Sequence, residues 1–106
     1  MGWEHLANTS DFERRSVVGR ASDSRLIAIY RVDGTYYATS DICTHASARL
    51  SQGEVVDGYI ECPLHFGLFD IATGKAQGAP VVRDLITFPV KLVGTKILVD
   101  VPDGPS

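Results

Sequence analysis

Two short stretches constrain this chain more than any others. They are Cys43-Thr44-His45 and, after sixteen intervening residues, Cys62-Pro63-Leu64-His65. Together they hold both cysteines of the sequence and two of its three histidines. Two thiolates and two imidazoles make a soft-to-borderline donor set. It suits zinc or an iron–sulfur centre, and not calcium or magnesium, which take oxygen ligands. Cys-x-His and Cys-x-x-His each place two donors on one turn, so the fold must bring two turns together with a metal centre between their tips. Structural zinc also uses Cys2His2 sets, but zinc-finger spacing pairs Cys with Cys and His with His, whereas each turn here carries one of each.

A chain of 106 residues has room for one domain and one modest core. Small domains bury a limited share of their surface, so a bound centre would help hold this one together. The apolar fraction is 44%, as in an ordinary soluble globular domain. The formal charge of −3 comes without any basic run, which argues against a nucleic-acid partner. Solubility is the plain reading of this mild acidity. Electrostatic steering towards a basic patch on a redox partner is the functional one. No stretch is long and apolar enough for a membrane-crossing helix. Met1-Gly2-Trp3-Glu4-His5 has neither the basic flank nor the apolar run of a secretory leader, and Leu6 stands where a myristoylation signal needs Ser or Thr. The expectation is a cytoplasmic protein without a membrane partner. In that compartment two cysteines serve as metal ligands more readily than as a structural disulfide.

Along the chain, short strand signals alternate with turn signals. Trp3 to Ala7, Ser16 to Arg20 and Leu26 to Arg31 read as strands. Ser10-Asp11-Phe12-Glu13 has the spacing of a capping box with Ser10 as N-cap, opening a brief helical turn. Asp33-Gly34 makes a tight hairpin into Thr35 to Thr39, which leads to Cys43. Ala46 to Gly53 reads as a loop. Asp57-Gly58 joins Glu54–Val56 to Tyr59–Glu61 in a second hairpin that ends at Cys62. Each ligand pair thus falls where a strand gives way to a loop. Gly67 to Ile71 is a further strand and Lys75 to Asp84 a loop. Leu85 to Val93 and Lys96 to Val101 form a last hairpin around Gly94-Thr95. Pro89 inside the first of these strands marks an edge or a bulge. Pro102 to Ser106 reads as a loose tail. Many short strands without a long helical pattern indicate an all-β sandwich or barrel.

The pattern resembles the signature of Rieske [2Fe–2S] proteins, in which two histidines replace two cysteines on one of the two irons. The resemblance runs on through Leu50-Ser51-Gln52-Gly53, Gly58 to Gly67, Phe69 to Ala76, Ala79-Pro80 and Phe88-Pro89-Val90-Lys91, nearly the whole chain. It is similar to the small Rieske ferredoxins of bacterial aromatic-ring-hydroxylating dioxygenase systems, such as the naphthalene and biphenyl systems. The resemblance implies stacked antiparallel sheets in a single domain, residues 1–106, with a small cluster-binding subdomain inserted at about residues 42–81. It implies that Cys43 and Cys62 bind one iron and His45 and His65 the other. It also implies a one-electron carrier that is not itself an enzyme. The carrier would take electrons from an NAD(P)H-dependent flavoprotein reductase and pass them to a terminal dioxygenase. A small diffusing carrier is expected to be a monomer. The exposed imidazole edges would meet the partner, small Ala46 and Ser47 would allow close approach, and Phe66 and the Ala79-Pro80 segment would form an apolar rim; the alternative for Phe66 is packing in the core.

High-potential Rieske proteins of respiratory complexes add a disulfide and two hydroxyl donors near the cluster. Here the disulfide positions are Ala48 and Leu64, and the hydroxyl positions are Gly67 and Phe69. With those donors missing, the potential is expected near the low end of the roughly −150 to +300 mV Rieske range. It should still lie above that of four-cysteine ferredoxins, because neutral imidazoles leave less negative charge at the site. A mononuclear oxygenase iron needs two histidines and a carboxylate, and His5 is the only histidine left over. No glycine-rich phosphate loop precedes a helix, so flavin and nicotinamide belong to a partner. The small Rieske-like subunit of an assimilatory nitrite reductase and a structural zinc module are the alternative readings.

Overall fold

The computed structural model describes residues 2–23, 25–44, 47–64, 66–78 and 83–102. Among them are ten strands: β1 Gly2–Asn8, β2 Val17–Ser22, β3 Arg25–Val32, β4 Thr35–Ser40, β5 Glu54–Val56, β6 Tyr59–Glu61, β7 Leu68–Asp70, β8 Thr87–Phe88, β9 Val90–Val93 and β10 Lys96–Val101. Two short 3-10 turns, Thr9–Phe12 and Leu50–Gln52, are the only helical elements among the described residues. Among the described residues no helix is long and apolar enough to cross a membrane. The strands form three antiparallel sheets with orders β1-β10-β9, β2-β3-β4-β8 and β5-β6-β7, in agreement with the all-β expectation.

The middle sheet explains the unbroken apolar run of β3. Successive strand side chains point to opposite faces, and here both faces are covered. Ile27 and Ile29 pack with Val18, Phe88, Ile97 and Val99 on the side of β1-β10-β9. Ala28 and Tyr30 pack with Leu50, Ile60, Phe69, Ile71 and both cysteines on the side of β5-β6-β7. All four β3 residues are fully buried. The small Ala28 leaves room for Tyr30, whose hydroxyl is satisfied by Thr39 Oγ1 at 2.9 Å. Both Asp-Gly hairpins form as the sequence predicts. Asp33 and Gly34 have φ of 51° and 80°, and Asp57 and Gly58 have 50° and 84°. A positive φ at both central residues gives the hairpin turn whose twist matches the flanking strands.

Two expectations are corrected. Leu85 to Val93 is not one strand. Pro89 divides it into β8, which pairs with β4, and β9, which pairs with β10. Proline has no N–H for a ladder, and its carbonyl instead accepts from the Asp100 N–H at 3.0 Å where the chain passes between sheets. Both pieces are edge strands, as a proline in this position implies. Ser10 is not the N-cap either. The turn starts at Thr9, and the Asp11 carboxylate accepts from the Asn8 backbone N–H at 2.8 Å. That register buries Phe12 to 3% exposure and leaves Glu13 in water.

Candidate metal centre

The two ligand turns are built alike. The first leaves β4 at Ser40. The Asp41 N–H donates to the Leu26 carbonyl at 2.8 Å, and the Asp41 carbonyl accepts from the Leu50 N–H at 2.7 Å. Ile42 bridges Arg49, and the Cys43 N–H donates to the Ala48 carbonyl at 3.0 Å. Residues 41–43 and 48–50 therefore run antiparallel and close a loop above Cys43. The second turn leaves β6 at Glu61, and the Cys62 N–H donates to the Gly67 carbonyl at 2.8 Å. In both turns the cysteine stands at the base, and its N–H reaches a carbonyl five residues on. His45 and His65, the sequence-predicted imidazole ligands, lie outside the described residues, as do Ala46, Ala79 and Pro80.

The bases of the two turns meet in one core. Cys43 is 3% exposed and Cys62 fully buried, and both pack with Tyr30, Leu50, Ile60 and Phe69. Both thiols are free. Burial pushes the Cys62 thiol up to about 11. The Leu64 backbone N–H bonds to its sulfur and favours the thiolate, while the neighbouring Cys43 opposes that charge. Two buried sulfurs that hinder each other's ionisation are a poor resting arrangement for thiolates and a good one for ligands around a positive core, which supplies the missing counter-charge. The donor set and its burial thus fit a thiolate-bound cluster.

Around this base, apolar side chains reach solvent. Phe66 is 68% exposed, and Leu64 and Ile42 stand out beside the second and first cysteines. Phe66 also has φ of 57°, a left-handed conformation that is strained for a bulky residue. Of the two readings left open for Phe66, core packing is the one its exposure contradicts. Ser47 is exposed. Ala48 is buried in the core, Leu64 faces solvent, the Gly67 carbonyl serves Cys62, and Phe69 fills the core without a hydroxyl. The positions of the high-potential devices have thus been put to other uses.

Sequence reasoning missed the anchor of the first turn. The Asp41 carboxylate, fully buried, accepts from the Ser51 N–H at 2.6 Å, the Ser51 hydroxyl at 2.7 Å and Arg49 Nε at 2.7 Å. Gly19 of β2 lies against this group, leaving no room for a side chain. The Thr44 hydroxyl donates to the Arg83 carbonyl at 2.7 Å, tying the same turn to the segment before β8. An aspartate between a strand and a ligand turn reads in sequence as an ordinary loop residue. Only the return of residues 48–51 reveals its partners.

Comparison with known proteins bears on what such a centre holds. Residues 2–89 match the family model described as Rieske [2Fe-2S] domain. The ferredoxin component of the naphthalene 1,2-dioxygenase system of Pseudomonas putida is 42% identical over 98 residues, covering 92% of this chain and 94% of that protein. Among solved structures, a ferredoxin of Sphingomonas yanoikuyae B1 superposes with a TM-score of 0.88 at 32% identity, over 95% of this chain and all of the other. A chain from a complex of reduced oxygenase and oxidised ferredoxin in carbazole 1,9a-dioxygenase gives a TM-score of 0.85 at 32% identity, over 92% of each.

Proposed function

This chain belongs to the Rieske [2Fe–2S] domain family, and from that premise we propose that it is the one-electron carrier of an aromatic-ring-hydroxylating dioxygenase system. The observation that carries the reading is the pairing of Cys43 and Cys62 in one core, each at the base of a loop that its own N–H closes. Cys43 and Cys62 would hold one iron, and His45 and His65 the other. Residues 42–81 would act as the cluster-binding unit of a single domain spanning residues 1–106. The bound cluster supplies one reversible electron and no oxygen chemistry.

The protein's own residues exclude water, fix the thiolates and present a docking face. Tyr30, Leu50, Ile60 and Phe69 wall off the sulfurs. The Leu64 N–H steadies the Cys62 thiolate. Strained, exposed Phe66 gains little from burial, and its place beside the second turn supports a docking role together with Ser47, Ala46 and Pro80. The partners on this reading are a flavoprotein ferredoxin reductase and a terminal dioxygenase, met by a cytoplasmic monomer. The match to a naphthalene-system ferredoxin over nearly the full length of both chains favours this over the nitrite reductase subunit.

Visible absorption and low-temperature EPR of the purified protein, oxidised and then reduced with dithionite, test the reading. A rhombic reduced signal of the histidine-ligated kind is expected, and it is lost in Cys43→Ser and in His65→Ala. A colourless, zinc-containing protein would overturn it.

A further inference from the structure

Asp41 is the one charged residue among the described residues that is fully buried. Its three hydrogen bonds all come from one return segment, Arg49 to Ser51. Its own backbone pairs with Leu26 below and Leu50 above. Asp41 is therefore the node at which the first ligand turn is fastened to β3. Two peptide units separate it from Cys43, so the two Cα atoms are at most about 7 Å apart.

The two charges of the node are not equivalent. The Asp41 side chain has no solvent exposure, whereas the Arg49 side chain is 37% exposed. Water screens the guanidinium and does not screen the carboxylate. Towards the interior, the ion pair therefore presents a net negative field. Only a carboxylate accepts at both oxygens, so the fastening itself carries a negative charge into the core beside the first turn.

We propose that Asp41, held by Arg49 and Ser51, is a positioning residue that also sets the reduction potential of the centre, its buried charge opposing arrival of the electron. This rests on Cys43 being a cluster ligand. The two members of the pair then act in opposite directions. Asp41→Asn keeps the side-chain size, gives up one of the two acceptor oxygens, removes the negative charge and raises the potential. Arg49→Gln unmasks the carboxylate and lowers it, by less, because the lost charge is partly in water. Arg49→Lys keeps the charge and leaves the potential near that of the parent.

Midpoint potentials from EPR-monitored redox titration at one fixed pH decide the matter. For Asp41→Asn, roughly a tenfold rise in the reduced-to-oxidised ratio at a given solution potential is expected, or about 59 mV for one electron. For Arg49→Gln, a fall of a few-fold in that ratio is expected. Loosening of the turn alone, with water entry, would move both variants in the same direction, and that result overturns the proposal, as do unchanged potentials. If Asp41→Asn does not hold a cluster, the fall expected for Arg49→Gln against the parent-like potential expected for Arg49→Lys still tests it: equal shifts in the two overturn it. Absence of a histidine-ligated signal in the parent protein would instead defeat the underlying reading, so the two failures are distinguishable.

Discussion

Gly19→Ala tests how tightly the first ligand turn is seated. A Cβ at Gly19 would lie 2.6 Å from Ser51 Oγ, 2.9 Å from Asp41 Oδ2 and 3.1 Å from Arg49 Nη2. The first two distances are shorter than carbon–oxygen contact allows, so side chains must move. Ser51 is the easiest to displace, but turning its hydroxyl away breaks the 2.7 Å bond to Asp41. A hydrogen bond to a charged group contributes about 1.5–3 kcal/mol, and crowding a packed site costs about 1–3 kcal/mol. Replacing a strand glycine returns about 0.5–1 kcal/mol. The net expectation is a loss of about 1.5–5.5 kcal/mol, with faster release of the cluster. Ser51→Ala alone removes the same hydrogen bond and costs about 1.5–3 kcal/mol. In the double variant the nearest obstacle is already gone and that bond cannot be lost twice. The two changes should therefore fall short of additive by at least about 1 kcal/mol. Urea unfolding of the four proteins, followed by far-UV circular dichroism and by visible absorption, measures the cycle. Additive effects, or a Gly19→Ala protein as stable as its parent, would refute the packing argument.

Two further outcomes follow from the second turn. At Phe66, glycine should be the better small residue, because it relieves the positive φ that alanine keeps. Phe66→Gly is expected to be more stable than Phe66→Ala by about 1 kcal/mol, while both slow electron transfer to the oxygenase; equal stabilities would show that the backbone is not held at that φ. In the metal-free protein, burial raises the Cys62 thiol from 9.0 in the unfolded chain to about 11. A raised thiol value means that the folded state holds its proton longer than the unfolded state does. The contribution is therefore complete below pH 9 and is lost as pH rises from about 9 to about 11. The metal-free protein should lose stability across that window, and the loaded protein, whose sulfur already carries charge, should not. Parallel pH profiles for the two forms would contradict this.

The sequence showed the fold where local chemistry decides it. Both Asp-Gly turns, the β3–β4 and β5–β6 hairpins and the strand Lys96–Val101 follow from turn residues and apolar patterning alone. It misplaced elements where a distant partner decides. The run around Pro89 is mostly apolar on both sides, and only the presence of two different sheets on its two sides divides it. Capping chemistry is present at both Asn8/Asp11 and Ser10/Glu13, and the demand to bury Phe12 selects the first.

The site divides along the same line. Cys43 and Cys62 announce themselves by residue type and spacing, since few other uses exist for such a set. Asp41, Arg49, Ser51 and Gly19 are each unremarkable in sequence, and their relation depends on β2 lying against a loop that returns thirty residues later. The groups that bind a centre are constrained chemically and so are legible. The groups that seat and bias it are constrained only by packing and field. Of these, the ones most exposed to error in a sequence reading are charged residues next to ligands, because burial inverts their meaning: in water Asp41 would be a solubilising loop residue, and in this core its charge bears on every electron the site accepts.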